Sequence, residues 1–390
     1  MAAIHTTSDF TPLSVALKSP AAVRRGDIKR PRVIAIGGGK GGVGKSLVST
    51  MFGIYLARQG FSTVIIDADF SGANIHGYLN MLHPETSMVD YLQRKTCDLN
   101  DLVIDTSIPG LRLIPVAPGQ LQTIQLKYWE KQKILTNMRK LNADYVLLDL
   151  GAGISYTTID FFNCADDGLL VATCDPLCMH GAFGFIRAAF TRSMQRTFRH
   201  WPDFFHRLKE CGAITQKQKA LSLDNLLETY KDLPSSWKTL IRRKTQRMNP
   251  RIVLNMVQED DSHHEMQALR LVVNELLNID LSYWGDIRFD DQVKFAARHL
   301  KVDLLSDAQC KAFKDASFIL ERNCKPNQIM DNVSRERPHQ DKTMGRQYRP
   351  IDRYVQVCNH RCLAWNCCAV RAGGLPCSKI TPWSLPLSAA

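Results

Sequence analysis

The hydrophobic positions of this chain are concentrated in short, nearly continuous apolar runs. These runs are rich in β-branched residues and cover residues 32–38, 62–69, 111–116, 144–150, 167–174, 251–257 and 280–287. An apolar run of this kind is typical of a strand whose two faces are both covered by helices. We therefore predict a buried strand at each run.

Helical spacing of apolar residues separates most of the predicted strands. The spacing is clear in residues 46–60, where the pattern stops at Gly60, a common signal for the end of a helix. Strands that alternate with helices predict an α/β fold with a doubly wound, mostly parallel sheet over about residues 30–305.

A further stretch with helical spacing lies at residues 305–324. A helix of this kind either packs against the core or lies on a membrane surface. We favour packing against the core. The apolar side of this helix consists of Ala312, Phe313, Ala316, Ile319 and Leu320.

One segment, about residues 191–250, is far too long for a single crossover helix between two strands. It contains 13 Lys and Arg against 5 Asp and Glu, and its aromatic residues are Phe198, Trp201, Phe204, Phe205, Tyr230 and Trp237. We predict a helical, basic insertion. Such a surface could bind DNA non-specifically or an anionic membrane, and a solvated helical surface is the plainer alternative.

These patterns divide the chain into three regions. We expect residues 1–30 to be a flexible extension, residues 31–325 to be the folded domain with its insertion, and residues 326–390 to be a Cys-rich, largely irregular tail. The tail cysteines follow the spacing C-x₃-C-x₄-C-C-x₈-C, which matches no common structural zinc pattern. We interpret them as incidental thiols, with a zinc or iron–sulfur site as the alternative.

The overall composition is that of an ordinary globular protein, with 45% hydrophobic and 23% charged residues. No apolar run reaches the roughly 18 residues of a membrane span, and the first residues lack the pattern of a secretory signal. The cysteines before the tail are scattered, which is typical of reduced thiols. We therefore expect a cytoplasmic protein, whose net charge of +12 suits an acidic partner.

The segment "GGGKGGVGKS" (37–46) carries the candidate chemistry. Gly39, Gly44, Lys45 and Ser46 fit the phosphate-loop pattern G-x-x-x-x-G-K-[ST] between a predicted strand and a predicted helix. In such a loop the backbone N–H groups converge on phosphate oxygens, the lysine binds the β- and γ-phosphates, and the serine hydroxyl ligates Mg²⁺. The expected nucleotide-binding residues are Gly39, Gly41, Gly42, Val43, Gly44, Lys45, Ser46 and Leu47.

A second lysine, Lys40, lies at the apex of the same loop. Because Lys45 already fills the cationic position next to the loop's own nucleotide, we expect the Lys40 ammonium to point outwards. It would then face either solvent or the nucleotide of another copy of the chain.

Acidic residues end two of the predicted strands. Asp67 and Asp69 close the run 62–69, and Asp149 closes the run 144–150. The carboxyl ends of parallel strands meet at one edge of a sheet, which is also where ligands bind. A carboxylate there can hold a Mg²⁺-bound water or orient the water that attacks a γ-phosphate.

The motif "KGGVGKS" after a strand resembles the deviant Walker A motif, K-G-G-x-G-K-[ST], of the MinD/ParA family of ATPases. The segments "VIIDADFSGANIHGYL" (64–79) and "YVLLDLGAGIS" (145–155) are similar, in order and spacing, to the family's switch I, Walker B strand and switch II. Within the family, the sequence looks most like the flagellar-number regulators FlhG/FleN. The resemblance covers residues 32–190 well and residues 250–300 more loosely.

The resemblance implies ATP and Mg²⁺ as ligands, a homodimer that forms with ATP, and an activating protein partner. It implies that Lys40 crosses the dimer interface to the partner's phosphates and that Asp69 acts in hydrolysis. Asp67 would be an outer metal partner, Asp149 the Walker B carboxylate and Asn255 a residue that contacts the base. The resulting sets are Lys40, Lys45 and Asp69 for catalysis, and Ser46, Asp67 and Asp149 for the metal.

The implied function is a dimerising switch ATPase that controls the number or position of a cellular structure, with flagella as the first candidate. It would act in the cytoplasm or at the inner face of the membrane. A ParA-like ATPase that partitions DNA or cargo is the alternative within the family. An Mrp-like iron–sulfur carrier that uses the tail cysteines is a second alternative, and a nucleotide-dependent scaffold with negligible hydrolysis is a third.

Overall fold

The computed structural model of the chain describes residues 30–324, except residues 71, 73–74, 117–125, 199–200, 212–220, 232, 306 and 308. The predicted tail (326–390) and all but the last residue of the predicted extension (1–30) lie outside the described residues. The tail cysteines therefore remain a matter of sequence interpretation.

The described residues form one eight-stranded sheet. Its strands are β1 (Arg32–Gly37), β2 (Thr63–Ala68), β3 (Ile104–Asp105), β4 (Leu111–Ile114), β5 (Tyr145–Leu150), β6 (Asp167–Ala172), β7 (Arg251–Val257) and β8 (Ser282–Arg288). The order across the sheet is β3-β4-β2-β5-β1-β6-β7-β8, and every neighbouring pair is parallel except β3 with β4. The seven predicted strands and the predicted fold are confirmed.

The short antiparallel strand β3 was not predicted. Two residues are too few to give an alternating or continuous apolar pattern, although the partner strand β4 follows closely in the chain.

Helices connect the strands and cover both faces of the sheet. They are α1 (Lys45–Arg58), α2 (Ile75–Tyr78), α3 (Met88–Leu92), α4 (Tyr128–Asn137), α5 (Tyr156–Cys164), α6 (Pro176–Phe198), α7 (Pro202–Glu210), α8 (Leu223–Thr229), α9 (Ser235–Arg247), α10 (His264–Leu277), α11 (Asp291–His299), α12 (Val302–Leu305) and α13 (Lys311–Asn323). Helices α1 and α13 pack together on one face, and α5, α6 and α10 pack on the other. Strands β2 and β5 are buried along their whole length, as their continuous apolar runs predict.

Helix α13 packs against the core, as predicted. The five apolar residues of its predicted inner side are all at most 8% exposed, and the helix contacts β8 and α1. No helix among the described residues has both the length and the apolar character needed to cross a bilayer.

The segment between β6 and β7 continues α6 into helices α7, α8 and α9. Their aromatic side chains form a small cluster in which Phe198 contacts Phe204 and Trp237, with 5.1 Å between ring centroids in each pair. Tyr230 packs edge-on against Phe204, and Trp201 stacks on Trp237. The aromatic residues that the sequence interleaves with basic ones therefore serve mainly to pack these helices together.

A buried ionic cluster joins α4, α5 and α6. Asp160 of α5 accepts hydrogen bonds from Arg192 Nε (2.7 Å) and Nη2 (2.8 Å) and from Lys131. Burial alone raises the pKa of Asp160, but the hydrogen bonds from Arg192 and Lys131 outweigh burial and hold that pKa below its usual value. The cluster fixes α5, which begins directly after residues 151–155, against α6.

Candidate functional site

Residues 38–44 form a loop between the carboxyl end of β1 and the start of α1. Gly42 and Gly44 have φ angles of 78° and 87°, which let the chain curl back before the helix begins at Lys45. No side chain caps the N-terminus of α1, and no acidic residue lies in its first turn. The unpaired N–H groups of this helix end are therefore left for an anionic ligand.

The predicted nucleotide-binding residues line this loop in two groups. Gly41 and Gly42 are exposed at its apex, whereas the Val43 side chain is buried in the core and Leu47 packs partly against it. Gly39 touches α6 so closely that a Cβ on it would lie 2.1 Å from the Gly181 carbonyl oxygen. The loop is thus held at its base by packing and is open at its tip.

Two serines of α1 hold the carboxylate of Asp149. Ser46 Oγ donates to Asp149 Oδ2 (2.6 Å) and Ser49 Oγ donates to Oδ1 (2.8 Å). Lys45 is only 8% exposed, and its charge acts on the same carboxylate. Ser46 and Asp149, which the sequence assigned separately to the metal, are therefore in contact. Ser49 was not predicted, although its position one turn after Ser46 places it on the same side of the helix.

Asp67 lies beside Asp149 in the sheet register, with no exposed surface. Its carboxylate accepts hydrogen bonds from the backbone N–H groups of Asp69 (3.1 Å) and Ile75 (3.3 Å). Burial, and after it the repulsion from Asp149, raises the pKa of Asp67 above its ordinary value. Burial also raises the pKa of Asp149, against the opposing hydrogen bonds from Ser46 and Ser49.

These oxygen donors fit a magnesium ion. Mg²⁺ prefers a few carboxylate and hydroxyl oxygens together with water and substrate phosphates. Two buried neighbouring carboxylates, whose pKa values are raised chiefly by burial, are the environment that a divalent cation stabilises. Ser46 would ligate the ion. Asp149 and Asp67 would stabilise its charge from nearby positions.

Asp69 differs from Asp67 and Asp149 because its side chain is half-buried rather than buried. Its Oδ1 accepts a hydrogen bond from the Gly72 N–H (3.0 Å), and a Cβ on Gly151 would lie 2.8 Å from the same oxygen. The Gly153 N–H donates to the Gly38 carbonyl oxygen (3.2 Å). This bond holds residues 151–155 against the phosphate loop. Asp69 is therefore the most solvent-accessible carboxylate of the three.

Lys40 is exposed at the loop apex, in contrast to the buried Lys45. Its stem runs beside α6, where a Cβ on Gly181 would lie 3.2 Å from Lys40 Cγ. Asp175 lies just before α6 and feels the Lys40 charge. The pKa of the Asp175 carboxyl group is lowered by hydrogen bonds from Thr173 and Cys178 and also by this charge. The two lysines of the loop thus face different surroundings, as predicted.

Large apolar side chains are exposed in the segments that adjoin the loop apex. Ile154 is 58% exposed and Tyr156 is 70% exposed in the segment that lies over the loop, and Leu177 is 66% exposed at the start of α6. Exposed apolar groups that cluster on one face commonly mark a surface covered by another molecule. The sequence alone did not single out these three side chains, because the exposure of an apolar residue depends on the folded chain.

The predicted base-contacting residue, Asn255, ends the apolar part of β7 and is 5% exposed. Its amide Nδ2 donates to the Val43 carbonyl of the phosphate loop (2.9 Å). Arg288, at the end of β8, makes two hydrogen bonds to the Asp315 carboxylate of α13. Its Nε donates to Oδ2 and its Nη2 donates to Oδ1, each at 2.8 Å. The Arg288 guanidinium therefore binds α13. Asn74, which belongs to the segment that resembles switch I (64–79), lies outside the described residues.

Comparison with known proteins agrees with this geometry. A family model for the CobQ/CobB/MinD/ParA nucleotide-binding domain matches residues 34–302. The antiactivator FleN of Pseudomonas aeruginosa is 30% identical over 164 residues, which are 42% of this chain and 58% of FleN. The flagellum site-determining protein YlxH of Helicobacter pylori is 31% identical over 169 residues, which are 40% of this chain and 53% of YlxH. The chain thus spans about half the length of these relatives.

A solved structure shares the fold. The septum site-determining protein MinD from Pyrococcus horikoshii, in complex with Mg-ADP, aligns with a TM-score of 0.52 at 15% identity, over 77% of this chain and 98% of that protein. The family match covers more than half of the chain and includes the phosphate loop and the three acidic strand-end residues. The chain therefore belongs to the CobQ/CobB/MinD/ParA family of nucleotide-binding domains.

Proposed function

We propose that this protein is a switch ATPase that binds ATP with Mg²⁺, dimerises in the ATP state and hydrolyses ATP to ADP and phosphate. The contrast between the two loop lysines carries the proposal. Lys45 is buried beside Asp149, where one nucleotide's phosphates are expected, whereas Lys40 is exposed and available to a second molecule.

Each site residue has a role that its surroundings support. Lys45 and the N-terminal N–H groups of α1 bind the phosphates, and Ser46 holds the metal with support from Asp149 and Asp67. The metal offsets phosphate charge and orients the γ-phosphate. Asp69, half-buried next to Gly151, orients the attacking water. Lys40 stabilises the phosphate charge on the partner subunit's nucleotide.

The apolar residues around the loop apex support dimerisation through this face. A second copy would cover Ile154, Tyr156 and Leu177 and would bring each Lys40 to the other copy's phosphates. A C₂ arrangement of this kind uses the same patch on both subunits. The apolar contacts would supply affinity, and the lysine–phosphate pairs would make that affinity depend on ATP.

The similarity to the flagellum site-determining protein YlxH supports a role in controlling flagella, and we propose that role for the cellular output of the switch. An activating protein that completes or rearranges the site would set the turnover rate. A partitioning ATPase remains the alternative, and counting flagella on cells that lack the protein distinguishes the two. An unchanged count would contradict the flagellar role.

The first test uses light scattering, with Mg²⁺ present, to compare the molar mass of the protein with ATP, with ADP and without nucleotide. We expect the mass to double only with ATP, and we expect phosphate release that EDTA stops. A mass that does not depend on nucleotide, or the absence of metal-dependent phosphate release, would contradict the proposed function.

We also propose that helix α9 is a nucleic-acid-binding surface. Its sequence, "SSWKTLIRRKTQR", contains five Lys and Arg and no acidic residue. Arg243 and Arg247 are exposed one turn apart, whereas Ile241 is buried and Trp237 packs inwards on Phe198. Most of the apolar side of α9 packs within the protein and Leu240 is its one large apolar side chain that is exposed, which favours DNA over insertion into a bilayer.

Charge reversal tests this surface. We expect the variant Arg242→Glu, Arg243→Glu, Arg247→Glu to lose binding to a DNA duplex and to lower the slope of log affinity against log salt by about 3. A matched control reverses three exposed cations of α11 and its C-terminal flank, Lys294, Arg298 and Lys301. Duplex binding that survives the α9 change, or that falls equally in the control, would contradict the assignment.

A further inference from the structure

We propose that the end of β7 is a clasp on the phosphate loop, in which Asn255 and Met256 are positioning residues for phosphate binding. This inference rests on the proposed nucleotide binding and adds a role that differs from base contact. It is carried by three features of the β7 end: one hydrogen bond, one close approach and one left-handed residue.

The hydrogen bond joins strand and loop across the molecule. Asn255 Nδ2 donates to the Val43 carbonyl oxygen at 2.9 Å, and both groups are buried. The C=O and the following N–H of a trans peptide point in opposite directions. Pinning the Val43 carbonyl towards β7 therefore turns the Gly44 N–H towards the opposite side of that peptide, away from the strand, where the loop curls around its ligand.

The close approach involves the next residue of the loop. Gly44 has a φ of 87°, and a Cβ on it would lie 2.2 Å from Asn255 Nδ2. The same position lies 3.3 Å from Met256 Cε. Two consecutive side chains of β7 thus meet a single glycine of the loop.

A regular strand cannot make such a contact, because its successive side chains point to opposite faces of the sheet. Here Met256 has a φ of 59°, and the pairing of β7 with β8 shifts register between Asn255 and Val257. A left-handed conformation at a non-glycine residue is strained and is kept where surrounding contacts hold it. Because of this distortion, the side chains of Asn255 and Met256 lie on the same side of β7, and both contact the loop.

The clasp has a chemical consequence. A phosphate loop binds well only if its N–H groups already point at the phosphates before the ligand arrives. Asn255 and Met256 touch the peptide and the glycine that directly precede Lys45, so they set the direction of the Gly44 N–H and the start of α1. In this role they act on the triphosphate part of the ligand and not on the base.

Inorganic tripolyphosphate separates the two roles, because it offers the phosphates without a base. We expect Asn255→Ala to weaken the binding of both Mg-ATP and Mg-tripolyphosphate by about tenfold, the effect of losing one buried hydrogen bond. Binding is measured by calorimetry on the full chain. The matched control is Asn163→Ala, which removes an equivalent amide-to-carbonyl bond (Asn163 Nδ2 to the Ala189 carbonyl, 2.9 Å) within the packing of α5 on α6.

The outcomes are distinct. Loss of ATP binding with unchanged tripolyphosphate binding would make Asn255 a base contact only and overturn the clasp, as would unchanged binding of both. If Asn163→Ala lost as much ligand affinity as Asn255→Ala, the effect would be one of general destabilisation. That result would also overturn the clasp. If the wild-type protein bound neither ligand, the proposed function itself would fail.

Met256 provides a second, independent variant pair. We expect Met256→Gly, which accepts a positive φ without strain but lacks the side chain that meets Gly44, to bind tripolyphosphate about threefold more weakly than the wild type. We expect Met256→Val to bind it about tenfold more weakly, because a β-branched residue resists the left-handed region. Equal affinities for the two variants would show that the left-handed turn does not position the loop.

Discussion

Replacing Asp69 with alanine is expected to reduce the rate of ATP hydrolysis by about 10²–10⁴-fold while ATP still binds. Asp69 is the only half-buried carboxylate of the three acidic strand-end residues, since Asp67 and Asp149 are at most 1% exposed. Asp67 and Asp149 are also held by backbone amides and by serine hydroxyls. A carboxylate that orients water contributes to the transition state more than to substrate binding, so the loss should fall on kcat.

Steady-state phosphate release, together with ATP affinity measured separately, checks this division. Asp105→Ala is a suitable control because Asp105 is exposed at the end of the edge strand β3. It should hydrolyse ATP at the wild-type rate. If Asp69→Ala also turned over at the wild-type rate, another group would have to orient the water.

Replacing Lys40 with alanine is expected to abolish the ATP-dependent dimer and leave ATP binding to the monomer intact. Each dimer would lose two lysine–phosphate pairs, one at each nucleotide. Removing one partner of a desolvated charge pair costs about 2–5 kcal/mol, so two losses should weaken dimerisation by at least about 10³-fold. Without ATP, the wild-type and variant proteins should behave alike.

Sedimentation at several protein concentrations, with ATP and with ADP, measures this effect. Lys45→Ala is the informative companion, because it should lose nucleotide binding altogether. Lys294→Ala removes an exposed lysine on α11 and should dimerise normally. A normal ATP-dependent dimer of Lys40→Ala would contradict the role of Lys40 across the interface.

Local patterns explain why much of the fold was predictable. Strands such as β2 and β5 are buried on both faces, so their sequences are continuous apolar runs that need no knowledge of the partner strands. The phosphate loop is likewise local, because its glycines, its lysine and its serine are consecutive. The meeting of Asp67 with Asp149 followed from topology, since both end parallel strands on the same edge.

The features that were missed depend on distant contacts. The bond from Asn255 to Val43 joins residues 212 positions apart, and no short pattern encodes it. The left-handed Met256 carries no sequence signal, because methionine has no preference for a positive φ. The exposure of Ile154, Tyr156 and Leu177 likewise depends on the folded chain and not on a local pattern.

The most direct test of the central claim, that Lys40 acts on the partner's nucleotide, mixes two inactive variants. A subunit with Lys40→Ala keeps Asp69 but cannot help its partner, and a subunit with Asp69→Ala keeps Lys40 but cannot hydrolyse its own ATP. We predict that a 1:1 mixture, at a protein concentration high enough to form the mixed dimer, hydrolyses ATP faster than the two variants measured separately, because each mixed dimer has one complete site. The rate should stay below about a quarter of the wild-type rate, since the mixed dimer keeps only one of its two lysine–phosphate pairs and forms less readily than the wild-type dimer. Hydrolysis no greater than the sum of the separate variants would contradict action between subunits.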